Sequence, residues 1–168
     1  MGLDNAIQLA ETLNTSRNLP VELIVVGRIS DEHKARVQSR ACVPINWMGV
    51  VTPERIPEID RSAHVLFSAD LNPACPNAVI EALACGLPVA AFDTGALNEL
   101  VLNDSGRLVP YGSDPWKIGQ PDIPALANAT AEILIDQARF SKNARTQACS
   151  ALGLDRMIDG YIKYLLDS

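Results

Sequence analysis

Residues 76–95 read PNAVIEALACGLPVAAFDTG. Val79, Ile80 and Leu83 recur at helical spacing, so a helix is expected from about Asn77 to Cys85, stopped by Gly86 where a left-handed residue is wanted. PVAAF, residues 88–92, then reads as a strand that is apolar on both faces, as in a parallel sheet covered by helices. Thr94 and Gly95 turn the chain into a second short helix, LNELV, residues 97–101. Within this apolar passage Glu81 is the one carboxylate in the first helix, about one turn from its start.

The same alternation runs outward in both directions. Leu3, Ile7, Ala10 and Leu13 mark an amino-terminal helix, and VELIVVG, residues 21–27, marks a buried strand. SDEHKARVQSRA is a polar surface helix, PINWMGV a second strand closed by Gly49, and HVLFSAD a third. Between the last two lies a short helix with Pro57 in its first turn, where proline is tolerated. After the quoted stretch come a strand, RLVPY, and a loop rich in glycine and proline. From Asp122 the pattern is helical to the end, with Ile158, Tyr161, Ile162 and Leu165 on one stripe. The fold class expected is α/β: a Rossmann-like parallel sheet of about five strands with helices on both faces. One domain spanning residues 1–168 is expected, with 122–168 as a helical tail.

Composition narrows the function. With 48% hydrophobic and 20% charged residues among 168, and no apolar run of the ~20 residues that span a bilayer, the chain reads as globular. The start, MGLDNAIQLAETLN, lacks a basic segment followed by an apolar core, so a cytoplasmic location is expected. A net charge of −6 disfavours nucleic acid. Cys42, Cys75, Cys85 and Cys149 have no metal-ligand spacing and are expected as reduced, mostly buried thiols, and no metal site is read.

Ligands of such sheets bind beyond the carboxyl ends of the strands, where loops feed helix starts. Two such junctions lie here, SADLNPACP before the Glu81 helix and DTGA before the Glu99 helix. Free N–H groups at both starts make a cradle for a phosphate or diphosphate, and Gly95 lets it approach the backbone. Glu81 either accepts hydrogen bonds from vicinal sugar hydroxyls or merely complements the helix dipole. Asn77 is either a helix cap or a ligand contact. Asp70 ends a strand on the ligand side but is also an ordinary turn residue, and His64 is expected at a packed core edge.

At PNAVIEALACGLPVAAFDTGALNELV the sequence resembles the carboxy-terminal, donor-binding domain of the group 1, or family 4, glycosyltransferases of GT-B fold. GLDNAIQLAETL, VELIVVG, INWMGVVTPERIPEIDRSAHVLFSAD and NDSGRLVPYGSDP follow in the same order, so the resemblance covers essentially the whole chain. It implies transfer of a sugar from a UDP-, GDP- or ADP-sugar with retention at the anomeric carbon and no cofactor. It also implies nucleotide-sugar contacts at Glu81 (ribose), at the helix-start residues Asn77 and Ala78, at Gly95 and Ala96 (diphosphate), and at Gly49, Val50 and Val51 (base).

Two departures stand beside that match. Pro73 occupies the position, eight before Glu81, where the family most often has a first glutamate, and PACPN replaces a glycine-rich loop. The family's first strand, its cationic loop and its amino-terminal acceptor domain have no counterpart here, so no catalytic residue is assigned within this chain. A non-catalytic nucleotide-binding or interaction module and half of a GT-B nucleotide-sugar epimerase are the alternative readings. With the central first strand absent, the strands VELIVVG and HVLFSAD are expected either to pair directly or to take a strand from another chain, a homodimer through the sheet gap being one arrangement.

Overall fold

The computed structural model describes residues 2–166. In chain order the elements are α1 (Gly2–Arg17), β1 (Leu23–Val26), α2 (Asp31–Gln38), β2 (Ile45–Gly49), α3 (Ile56–Ser62), β3 (Leu66–Ser68), α4 (Asn77–Ala84), β4 (Val89–Phe92), α5 (Leu97–Leu100), β5 (Gly106–Val109), α6 (Ile123–Ile135), α7 (Gln137–Ala151) and α8 (Leu154–Leu166). Short 3-10 turns at Pro53–Arg55 and Pro115–Lys117 join the set. Helix boundaries follow local chemistry. Ser30 Oγ accepts from the His33 amide at 3.3 Å to start α2, and Asp122 Oδ1 accepts from the Ala125 amide at 2.9 Å to start α6. α4 stops at Cys85, and Gly86 follows with φ 76°, the left-handed position that glycine occupies without strain.

All five strands are parallel to their ladder partners, but they form two sheets, β1-β2 and β3-β4-β5. Of the two arrangements expected from the sequence, direct pairing of the first and third strands is not formed: β1 is laddered only to β2 and β3 only to β4 among the described residues. The physical reason lies in the outer edges of β1 and β3, both strands of three or four residues joined through the α2, β2 and α3 crossover, with no shared neighbour between them. Their residues are at best half-buried apart from Ser68, whereas all four of β4 are buried. On one face α1 bridges the division: Leu9 and Leu13 pack in one core with Leu19 and Val21, which lead into β1, and with Val65 and Phe67 of the β3 segment.

β4 divides its side chains between two cores, as period-2 alternation requires. Ala90 and Phe92 pack with α1, α6, Tyr111 and Phe140, while Val89 and Ala91 pack with α4, Leu97, Val101 and α7. Phe92 meets Tyr111 edge-on with ring centroids 5.0 Å apart, and Tyr111 Oη donates to the Gly119 carbonyl at 2.9 Å. Where β5, α6 and α7 meet, the guanidinium groups of Arg107 and Arg139 lie 4.5 and 4.4 Å from the centre of the Phe140 ring. Asp104 accepts from both arginines, at 2.7 and 2.6 Å. Those hydrogen bonds, Arg107's first, hold the Asp104 carboxyl below the ordinary carboxylate range.

Two other expectations are corrected. Cys42, Cys75 and Cys149 are exposed and Cys85 is half-buried, all four as free thiols, because they fall in loops or on the outer sides of helices. His64 is exposed: the strand begins two residues later, so His64 belongs to the turn after α3 and not to the sheet. Among the described residues no helix is long and apolar enough to cross a membrane.

The divided sheet carries a measurable consequence. In amide hydrogen exchange, Val89–Phe92 should be the slowest strand, with β1 and β3 faster by at least tenfold on their unladdered edges. Uniform protection across all five strands would show that the edges are covered.

Candidate functional site

The strand tips of the larger sheet supply one connected structure. After β3 the chain runs through Ala69–Pro76 into α4, and after β4 it turns through Asp93–Ala96 into α5. These two loops are locked together. Gly95 has φ 56°, and a Cβ built on it would stand 2.4 Å from the Pro73 carbonyl oxygen and 2.5 Å from the Pro73 nitrogen, so only glycine fits. The Ala96 amide donates to the Pro73 carbonyl at 2.8 Å, and the Asn72 amide donates to Thr94 Oγ1 at 3.3 Å. Pro73 is thereby the residue against which the Gly95 turn is built.

At the start of α4 the cap position belongs to Pro76, which is buried and offers no side-chain hydrogen bond. The reading of Asn77 as a cap is corrected accordingly: Asn77 is the first helical residue, and its exposed side chain caps nothing. The Val79 and Ile80 amides both turn back to the Pro76 carbonyl, at 3.0 and 3.3 Å. The amides of Asn77 and Ala78 have no acceptor among the described residues, and both residues are exposed. Two donors and the positive end of the helix dipole are thus left free at the end of the loop that Gly95 packs against, an arrangement suited to an anion. Ala96 differs, because its N–H is already engaged by Pro73.

Glu81 lies one turn further along α4, on the side opposite the buried Val79, Ala82 and Leu83, and it is exposed. It is not isolated. Asp60, half-buried near the end of α3, lies within electrostatic reach, and its carboxyl is raised above the ordinary Asp range, first by burial and then by the Glu81 charge, with Arg61 opposing. Cys85 shares this neighbourhood, and burial followed by the Asp60 charge pushes its thiol up. Asp60 carries no sequence signal of this proximity: it stands 21 positions from Glu81, and only the α3–β3–α4 crossover brings the two helices together. Asp70, in the loop beyond β3, is exposed and makes no ion pair or side-chain hydrogen bond among the described residues.

Gly49, Val50 and Val51 belong to the other sheet. Gly49 ends β2 with φ 66°, and its carbonyl accepts from the Gly27 amide at 2.8 Å, tying together the tips of β2 and β1. Val50 is 69% exposed and Val51 half-buried. No hydrogen bond among the described residues joins this trio to the α4 start or to Gly95. The structure therefore sets Gly95 and Ala96 against the Pro73 loop that leads into α4, the helix that carries Asn77, Ala78 and Glu81, and leaves Gly49–Val51 on the tip of the other sheet.

Residues 2–136 match the family model described as Glycosyl transferases group 1. The D-inositol 3-phosphate glycosyltransferase of Rhodococcus erythropolis is 26% identical over 144 residues, which are 80% of this chain and 33% of that protein. Among solved structures, S. aureus TarM, in a complex that includes UDP, superposes with a TM-score of 0.73 at 16% identity, covering 96% of this chain and 32% of TarM. Anabaena Alr3699/HepE, in complex with UDP-glucose, gives a TM-score of 0.65 at 19% identity over 96% of this chain and 44% of that one. The chain spans about a third of the length of the curated relative and of TarM. These likenesses establish the fold as one Rossmann-like half of a GT-B glycosyltransferase.

The burial of Asp60, with the Glu81 charge added to it, sets a pH dependence. A carboxyl whose folded pKa is raised leaves stability intact below the ordinary Asp range and subtracts from it as pH rises through the folded value. Asp60→Asn should therefore raise the Tm at pH 7 and raise it by much less at about pH 3.5, below the ordinary Asp value. Equal gains at both pH values would mean that the Asp60 charge is not penalised in the fold.

Proposed function

Because this chain belongs to the group 1 glycosyl transferases, we propose that it is the donor-binding half of a retaining glycosyltransferase that takes its sugar from a nucleotide diphosphate. The free Asn77 and Ala78 amides, at the uncapped start of α4 where the loop packed on Gly95 ends, carry this reading. In it, those amides and the Gly95 backbone take the diphosphate, whose two charges replace the missing cap. Glu81 accepts hydrogen bonds from the ribose hydroxyls, one turn along the same helix. Ala96 acts through structure, its N–H holding the Pro73 loop in place. Gly49–Val51 would meet the base at the neighbouring sheet tip. The donor is itself the activated group, so the reading calls for no cofactor beyond it.

The acceptor belongs in this reading to an amino-terminal acceptor domain that completes the enzyme, and the groups that stabilise the departing diphosphate to a cationic loop and first strand outside residues 1–168. The span of about a third of its relatives supports this. Developing charge on a leaving group needs positioned donors or cations, each commonly about 10²–10³ in rate. The described residues offer amides at α4 but no ion pair or cation–aromatic contact at that helix start. A binding-only role is the second reading, favoured by Pro73 in place of a glutamate, since a proline presents neither charge nor N–H to a donor sugar.

Calorimetric titration with UDP-, GDP- and ADP-glucose tests the donor site on which the first reading rests. One nucleotide sugar should bind, and Glu81→Gln should weaken it by roughly tenfold or more, the loss of a charge-assisted hydrogen bond being about 1.5–3 kcal/mol. Binding that is indifferent to Glu81→Gln removes the ribose role, and no binding of any nucleotide sugar at millimolar concentration removes the donor-site reading itself.

A further inference from the structure

Between α1 and α2 lies a cavity of about 200 Å³ that shares no residue with the candidate donor site. Its two walls carry opposite charge. Asp4 and Glu11 line it from one face of α1, two turns apart, and Arg36 and Arg40 line it from α2 and the turn that ends that helix. Half-buried Ile7 and buried Val37 add apolar surface to the lining.

Opposite charges on adjacent helices commonly close into ion pairs, and here they do not. Neither guanidinium has a carboxylate within 4.0 Å among the described residues. The groups are turned elsewhere. One carboxylate oxygen of Glu11 accepts from the Cys42 amide at 2.9 Å, a bond between residues 31 positions apart that holds the charge in place. Arg36 donates to His33 Nδ1 at 3.4 Å, so the neutral ring carries its proton on Nε2, which is buried with no partner among the described residues. Arg40 is held by its backbone, its N–H donating to the Val37 carbonyl at 3.0 Å, and its guanidinium makes no hydrogen bond or ion pair among the described residues.

Volume and charge together restrict the occupant. A water molecule takes about 30 Å³, so the space holds several waters or one small solute, and it falls short of the roughly 300–1,000 Å³ that a drug-sized ligand such as a nucleotide sugar occupies. A simple anion is drawn to the arginines but meets two acids on the other wall, and a simple cation meets the reverse. A molecule with a carboxylate and an ammonium a few ångströms apart satisfies both walls. We propose that the α1–α2 cavity binds a free α-amino acid. Its carboxylate takes the forked N–H groups of Arg36 and Arg40, and its ammonium donates to the Glu11 oxygen that the Cys42 amide leaves open. Its side chain lies along Ile7 and Val37. The site is independent of the nucleotide-sugar reading, since none of Asn77, Ala78, Glu81, Gly95 and Ala96 lines it. Its place in the fold is the seam between the sheets: α1 packs on both of them, while α2 connects β1 to β2, so an occupant that bridges the two helices ties the smaller sheet to the larger.

Amide chemical shifts of the ¹⁵N-labelled full chain, recorded during titration with each standard amino acid up to about 10 mM, test this. At least one amino acid should give saturable shifts at Glu11, Arg36, Arg40 and Cys42, with a Kd of about 1 mM or below. Its N-acetyl derivative, which lacks the ammonium, and its methyl ester, which lacks the carboxylate, should each bind at least about tenfold more weakly, the order lost with one charge-assisted hydrogen bond. Arg40→Gln, at an exposed position, and Glu11→Gln, which keeps an oxygen for the Cys42 amide, should weaken binding to the same degree with an unchanged circular dichroism spectrum. No saturable shift at these residues with any amino acid overturns the proposal. Equal binding of the N-acetyl derivative overturns it as well, because the cavity would then be an anion site, and so does binding that both folded variants leave intact.

Discussion

Everything in this fold is arranged about the four residues of β4, whose backbone is laddered on both sides and whose side chains feed two cores at once. Val89, Ala90 and Ala91 are fully buried and Phe92 nearly so. The small side chains in the middle let helices approach closely from both faces, and Phe92 fills the end against Tyr111. A strand so enclosed cannot shift register, since a slip by one residue would exchange the two cores. Its carboxyl end is therefore fixed, and with it the position of the turn that follows.

That turn transmits the order of the sheet to the candidate site. Gly95 is pressed on the Asn72–Pro73 backbone, and the Ala96 amide fastens the contact. The Pro73 loop in turn delivers the chain to Pro76 and the start of α4. The result is a helix whose first amides are left outward and unsatisfied while its apolar face is buried. In a protein without a ligand such an end is a modest local cost, and in one that binds an anion it is the binding device itself. Asp60 adds a second carboxylate near Glu81, so the rim of this site is more acidic than its amides alone suggest. A diphosphate would have to sit on the amide side of α4, with the acids directed toward hydroxyl donors.

Much of this was legible in the residues. The α4–β4–α5 unit could be read because its helix ends at a glycine, its strand is apolar on both faces and its turn needs a left-handed residue. The group 1 family followed from the same stretch. Three features were not legible. Pro73 departs from the family pattern, yet its contact with Gly95 is a meeting of two loops that no local spacing reports. Asp60 reaches Glu81 only through a crossover. The division into two sheets depends on which strand edges find a neighbour, and hydrophobic runs carry no such information. The exposed thiols and His64 show the same limit in small: an apolar or half-polar residue at the margin of an element is placed by where that element begins, and boundaries are set by tertiary contacts.

The central claim is that a nucleotide diphosphate occupies the amides at the start of α4, against the Gly95 turn. Backbone amide chemical shifts recorded while UDP is titrated into the ¹⁵N-labelled chain address it most directly. The account predicts that the largest saturable shifts fall on Asn77, Ala78, Glu81 and Gly95, with Gly49–Val51 responding to the base. Saturable shifts confined to another surface, with the α4 start unmoved, would contradict it.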